Sequence, residues 1–131
     1  MNRIGLTEKE TNKKGNDIMF YELTQNNSGG YFDVDDRICH RLFIEADSAN
    51  GANEKAEELG CYWEGVYKGF DCPCCGDRWY MCNENDVLAY DKFANIEEYA
   101  QYIANNYGWT TPDVRIYYKD GTVKEIFTER K

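Results

Sequence analysis

Ile96, Tyr99, Ala100, Ile103 and Tyr107 fall at i, i+3, i+4, i+7 and i+11, so they form one apolar stripe only if their segment is an α-helix. Asn95 stands where an N-cap belongs, Glu98 follows three residues later, and Gly108 supplies the stop. A one-sided helix has to cover another apolar surface, and the remaining apolar segments mostly alternate as strands do. Ile18–Leu23 alternates, the turn formers Thr24–Gly30 follow, and Tyr31–Val34 offers a second short strand. In Arg37–Ala46 the residues Ile38, His40, Leu42, Ile44 and Ala46 share one face. Together these three segments predict an antiparallel meander.

Ser48 can cap a second helix, in which Ala49, Ala52, Ala56 and Leu59 keep helical spacing and Gly60 provides a left-handed end. Cys61–Val66 can return as a strand. Val114–Lys119 and Thr122–Thr128 flank Asp120-Gly121, which suits a two-residue hairpin turn. The expected fold is α+β: an antiparallel sheet with two helices packed on one face and a C-terminal β-hairpin.

Residues 1–17 are polar and aperiodic, which predicts a disordered or loosely attached arm, with 18–131 as a single domain. That domain has 11 Tyr, 6 Phe and 3 Trp for its core, enough to fold without disulfide staples. No run approaches the roughly 20 apolar residues of a membrane span, and Met1–Asp17 lacks the apolar centre of a secretory signal. The expectation is a cytoplasmic protein whose six cysteines are free thiols or metal ligands. The net charge of −9 arises in the body of the chain: residues 19–113 carry −12, against +1 before them and +2 after. Such a body repels a phosphate backbone, so duplex nucleic acid is disfavoured. It keeps the protein soluble or attracts a basic protein surface.

Cys72-Pro73-Cys74-Cys75-Gly76 contains a C-P-x-C-G knuckle, in which Cys72 and Cys75 can share one zinc ion. Two further ligands would come from among Cys39, His40, Cys61, Cys74 and Cys82, none of which forms a second C-x-x-C. Cys39 and His40 are favoured for the remaining positions because their strand precedes the knuckle. The competing reading is a set of small buried thiols. A redox pair fits less well, since Gly-Asp-Arg follows where a helix would open. His40 is the single histidine, on an apolar strand, where a core role suits it better than acid–base work. No phosphate-binding loop, dinucleotide glycine pattern or H-E-x-x-H helix occurs.

Two polar clusters exceed what a plain fold needs. Gln25, Asn26, Asn27 and Ser28 can make a turn or bind a polar ligand. Asp71, Asp77 and Arg78 beside Trp79 and Tyr80 can form an internal Asp–Arg pair over an aromatic ring or offer the charged and stacking groups that recognise a nucleotide.

Phe20-Tyr-Glu-Leu-Thr-Gln-Asn-Asn-Ser-Gly-Gly-Tyr31, Cys39-His-Arg-Leu-Phe-Ile-Glu-Ala-Asp47 and Asp71-Cys-Pro-Cys-Cys-Gly-Asp-Arg-Trp79 resemble a family of small tailed-phage proteins. The likeness covers Met19–Tyr80. It implies no catalytic residue, and it implies that residues 1–18 are an extension or an upstream start. The setting it implies is an accessory protein in the host cytoplasm that counters host defence by non-catalytic binding of a host protein. The alternatives are a sponge for a nucleotide immune signal and a zinc-stabilised structural or interaction module.

Overall fold

The computed structural model describes residues 19–26, 33–107 and 112–129. Strands β1 (Phe20–Thr24) and β2 (Arg41–Glu45) are followed by helices α1 (Ala49–Leu59), α2 (Gly65–Lys68) and α3 (Ile96–Tyr107), then by strands β3 (Val114–Tyr117) and β4 (Val123–Ile126). A single 3-10 turn, Glu84–Asp86, lies between α2 and α3. The strands form one sheet in the order β1-β2-β3-β4. β1 pairs antiparallel with β2 (Leu23 opposite Leu42), β2 parallel with β3 (Phe43 opposite Ile116), and β3 antiparallel with β4 (Ile116 opposite Lys124).

The α+β class and the C-terminal hairpin therefore stand, in a mixed sheet that is mostly antiparallel. Its parallel step follows from the long crossover through all three helices, which returns the chain to the bottom of β2.

Strand alternation divides the core in two. Tyr21, Leu23, Leu42, Ile44 and Tyr117 point to one face and pack with Ala49, Ala52, Ala56 and Leu59 of α1. Phe20, Phe43, Val114 and Ile116 point to the other and pack with Ile96, Ala100 and Ala104 of α3. Each helix thus takes its own face, in place of the shared face expected from two single stripes. A stripe says that a helix must be covered; it carries no sign for which side of the sheet covers it. Alanine on both stripes lets the helix backbones approach closely, and the fully buried Leu42, Phe43 and Ile116 each contribute about 1.5–3 kcal/mol.

The helix ends match their sequence signals. Ser48 Oγ accepts from Gly51 N, and Gly60 takes a φ of 119°, where its N–H meets the carbonyls of Ala56 and Glu57. Asn95 Oδ1 accepts from Glu98 N at 2.9 Å. Gly108, the expected stop, lies outside the described residues, as does the strand start Tyr31.

Three local expectations change. Asp33 and Val34 are exposed and outside the sheet, and Asp35 Oδ1 instead accepts from Arg37 N and Ile38 N in a turn, so among the described residues no strand lies between β1 and β2. Cys61–Val66 is not a strand: Glu64 adopts a left-handed φ of 57°, and α2 begins at Gly65. The hairpin loop has three residues, Lys119, Asp120 and Gly121, because Tyr118 N donates to Thr122 O and Gly121 N to Tyr118 O, with Gly121 at φ 95°. Glycine in that last position is what a three-residue loop requires.

Candidate functional site

Between α1 and the 3-10 turn, the chain makes a long loop around α2 whose inner side is tied down by two carboxylates. Asp71 accepts from the Tyr62 hydroxyl at 3.0 Å and from Arg78 N at 2.9 Å. Asp77 accepts from Val66 N at 2.9 Å. Gly65 O receives both Phe70 N and Asp71 N. A side chain at Gly65 has no room, because a Cβ there would stand 1.8 Å from an Asp71 carboxylate oxygen and 2.7 Å from the Tyr62 ring. The need for glycine at this position arises from a close approach and not from backbone angle.

The two polar clusters converge. Asn26 N donates to Arg78 O at 2.7 Å, while Asn26 Nδ2 donates to the carbonyls of Cys75 (2.7 Å) and Asp77 (3.0 Å). Gln25 uses its whole amide: Nε2 donates to Asp33 O and Cys39 O, and Oε1 accepts from Asp33 N and Arg78 Nη1. Arg78 is 5% exposed, and its Nε lies 3.3 Å from Asp33 Oδ2. The internal partner of Arg78 is therefore Asp33 rather than the neighbouring Asp77. Trp79 is fully buried among the α1-side core residues, with its indole N–H unbonded among the described residues. Asn27 and Ser28 lie outside the described residues.

The six cysteines separate into two kinds. Cys39, Cys61 and Cys82 are buried, and burial pushes their thiols up to about 11, 12 and 11 respectively. Cys72, Cys74 and Cys75 are exposed and lie together, with all three Sγ atoms within 4.8 Å of one another. Cys72 Sγ is 2.8 Å from Cys74 Sγ, which is 3.6 Å from Cys75 Sγ. The hydrogen bond from Cys74 holds the Cys72 thiol below its ordinary value. Beneath them, Cys75 N and Gly76 N both donate to Cys72 O, and Gly76 takes a φ of 87°. This three-cysteine group could hold a metal ion.

The expected ligand set of Cys72, Cys75, Cys39 and His40 is not what comes together. Cys39 is fully buried with its Sγ 3.2 Å from Arg41 O, and neither it nor His40 joins the exposed group. Burial, with Arg41 adjacent, lowers His40 to about 4, so its imidazole is neutral near pH 7.

Besides Tyr80, three large apolar residues that sequence reasoning did not single out are exposed here. Tyr67, Phe70, Tyr80 and Met81 are all exposed on this loop. The Tyr80 hydroxyl and Asn26 Nδ2 each lie 3.4 Å from where a Cβ on Gly76 would stand, so both sit against the knuckle. Phe70 packs edge-on to Tyr62, with ring centroids 5.3 Å apart. Their only sequence signal is the density of aromatics around the cysteines.

These features define a small α+β domain whose largest loop is bonded firmly inside and presents thiols and large apolar side chains outside. The chain belongs to the family described as domain of unknown function DUF7296, which it matches over residues 18–131. No curated protein and no solved structure matches it. No helix among the described residues is long and apolar enough to cross a membrane.

Proposed function

We propose that this domain works by non-catalytic binding of a protein partner, with the outer side of the 64–81 loop as its docking surface. One observation carries the reading. Tyr67, Phe70, Tyr80 and Met81 are 89%, 66%, 59% and 52% exposed on a segment whose inner side is fixed by Asp71, Asp77 and Asn26. Large apolar groups held out by a pre-organised loop make good interface anchors, because little ordering is left for binding to do. The net charge of −9 favours a partner with a basic surface. A zinc ion on the knuckle, expected from its C-P-x-C-G spacing, would brace the outer side of the loop as the carboxylates brace the inner side.

In the setting implied by the phage resemblance, the partner is a host defence protein and binding blocks it. A nucleotide sponge needs Gln25, Asn26 and Arg78 turned toward a ligand. Their commitment to Asp33, Cys39, Cys75 and one another favours docking of a protein instead.

The test is protection of infecting phage in defended cells by the wild type and by Tyr67→Ser/Phe70→Ser, with circular dichroism confirming that both are folded. Protection lost only in the double variant supports the surface. Equal protection by both removes it, and no protection by the wild type removes the defence-blocking role.

A further inference from the structure

We propose that Cys72, Cys74 and Cys75 hold one zinc ion through three thiolates and leave its fourth position open to an outside donor, a thiolate or an imidazole. The three Sγ atoms already lie within 4.8 Å of one another on one short turn. Thiolates around tetrahedral zinc bind at about 2.3 Å, which places neighbouring sulfurs roughly 3.8 Å apart. Cys74 and Cys75, at 3.6 Å, are at that spacing, and Cys72 and Cys74 need to part by only about an ångström from 2.8 Å. All three side chains are exposed, so the adjustment disturbs no packing.

The turn beneath is built in advance. Its backbone is closed by the paired donors to Cys72 O, and Asn26, two residues beyond β1, anchors it through the carbonyl of Cys75. Metal binding would release the thiol protons to solvent.

The fourth ligand is the informative part. Among the described residues, no other Cys, His, Asp or Glu joins the group. Cys39 is enclosed in the core, and Cys61 and Cys82 are buried apart from it. Structural zinc sites are closed by four protein ligands, whereas a site with three keeps a position that solvent or another molecule fills. An exposed knuckle with three thiolates is of the second kind. This inference stands without the docking surface, because the metal is read directly.

Cobalt(II), which enters thiolate sites with visible absorption, serves as the probe on the reduced full chain. The expected result is one cobalt per chain with thiolate charge-transfer bands, displaced by zinc, and ligand-field bands that shift when imidazole is added. Cys74→Ser should weaken binding about tenfold or more and cut the charge-transfer intensity by about a third, one thiolate of three. Cys39→Ser and His40→Gln should leave both unchanged. No cobalt spectrum, or one retained in full by Cys74→Ser, overturns the site. A spectrum inert to imidazole and lost in Cys39→Ser or His40→Gln overturns the open position and restores a closed site with those ligands.

Discussion

Gln25 Oε1 accepts from Arg78 Nη1 at 2.9 Å, a buried contact between residues 53 positions apart that ties the end of β1 to the far end of the cysteine loop. Because the same amide also binds Asp33 and Cys39, one side chain joins three segments. The outer surface of the loop is carried on this junction.

Arg78→Ala should destabilise the domain by about 1–3 kcal/mol, since it takes one of its two donors from the buried Gln25 Oε1, while the half-exposed Asp33 carboxylate turns to water. Arg78→Lys should recover less than half of that, because one ammonium cannot reproduce a fork that serves two acceptors. Urea unfolding with an unchanged m-value measures both. A double-mutant cycle with Gln25→Ala should give a coupling of about 1–2 kcal/mol.

Asn53→Ala should cost about 2–3 kcal/mol even though alanine is the better helix former. Asn53 is buried in α1 and bonds Cys82 twice, donating to its carbonyl and accepting from its N–H, both at 2.9 Å. Truncation strands two buried backbone groups, which outweighs a propensity gain of about half a kcal/mol. The comparison is thermal unfolding of the two proteins at one pH.

Two glycine substitutions should act in opposite directions. Gly65→Ala forces a Cβ into Asp71 and Tyr62, so it should destabilise by about 1–3 kcal/mol and move the Tyr62 resonances. Gly51→Ala meets nothing closer than 3.6 Å in the first turn of α1 and should stabilise by about 0.5 kcal/mol. Denaturation midpoints of both variants test the contrast.

His40 is held to about 4 by burial, with Arg41 contributing, so the folded protein binds its proton less readily than the unfolded chain, where an imidazole titrates near ~6.5. Its contribution to stability is complete above about pH 6.5 and is lost as pH falls toward 4. Across that interval, His40→Gln should flatten the dependence of unfolding free energy on pH relative to wild type. Paired denaturation curves at several pH values isolate the histidine from carboxylates such as Asp35, which titrate in both proteins.

Chain-local physics decided much of this molecule. α1 and α3 follow from periodicity and caps, because Ser48, Gly60 and Asn95 act on groups within four residues of themselves. β1, β2 and the last hairpin follow from alternation. The knuckle's turn is legible for the same reason, since Cys75 N and Gly76 N both donate to Cys72 O within that turn. Tertiary structure decided what depends on distant partners. The parallel pairing of Arg41 with Val114 joins strands 73 residues apart, and alternation in either strand carries no information about neighbour or direction. It likewise divided α1 and α3 between the two faces of the sheet. It turned Cys61–Val66 away from a strand by offering Val66 N the Asp77 carboxylate. Finally, it spent Gln25 and Arg78 on each other and left Cys39 in the core, so the large apolar side chains that reach solvent on the loop carrying the thiols are Tyr67, Phe70, Tyr80 and Met81. Burial is a property of the assembled layers, and residue spacing along one segment does not encode it.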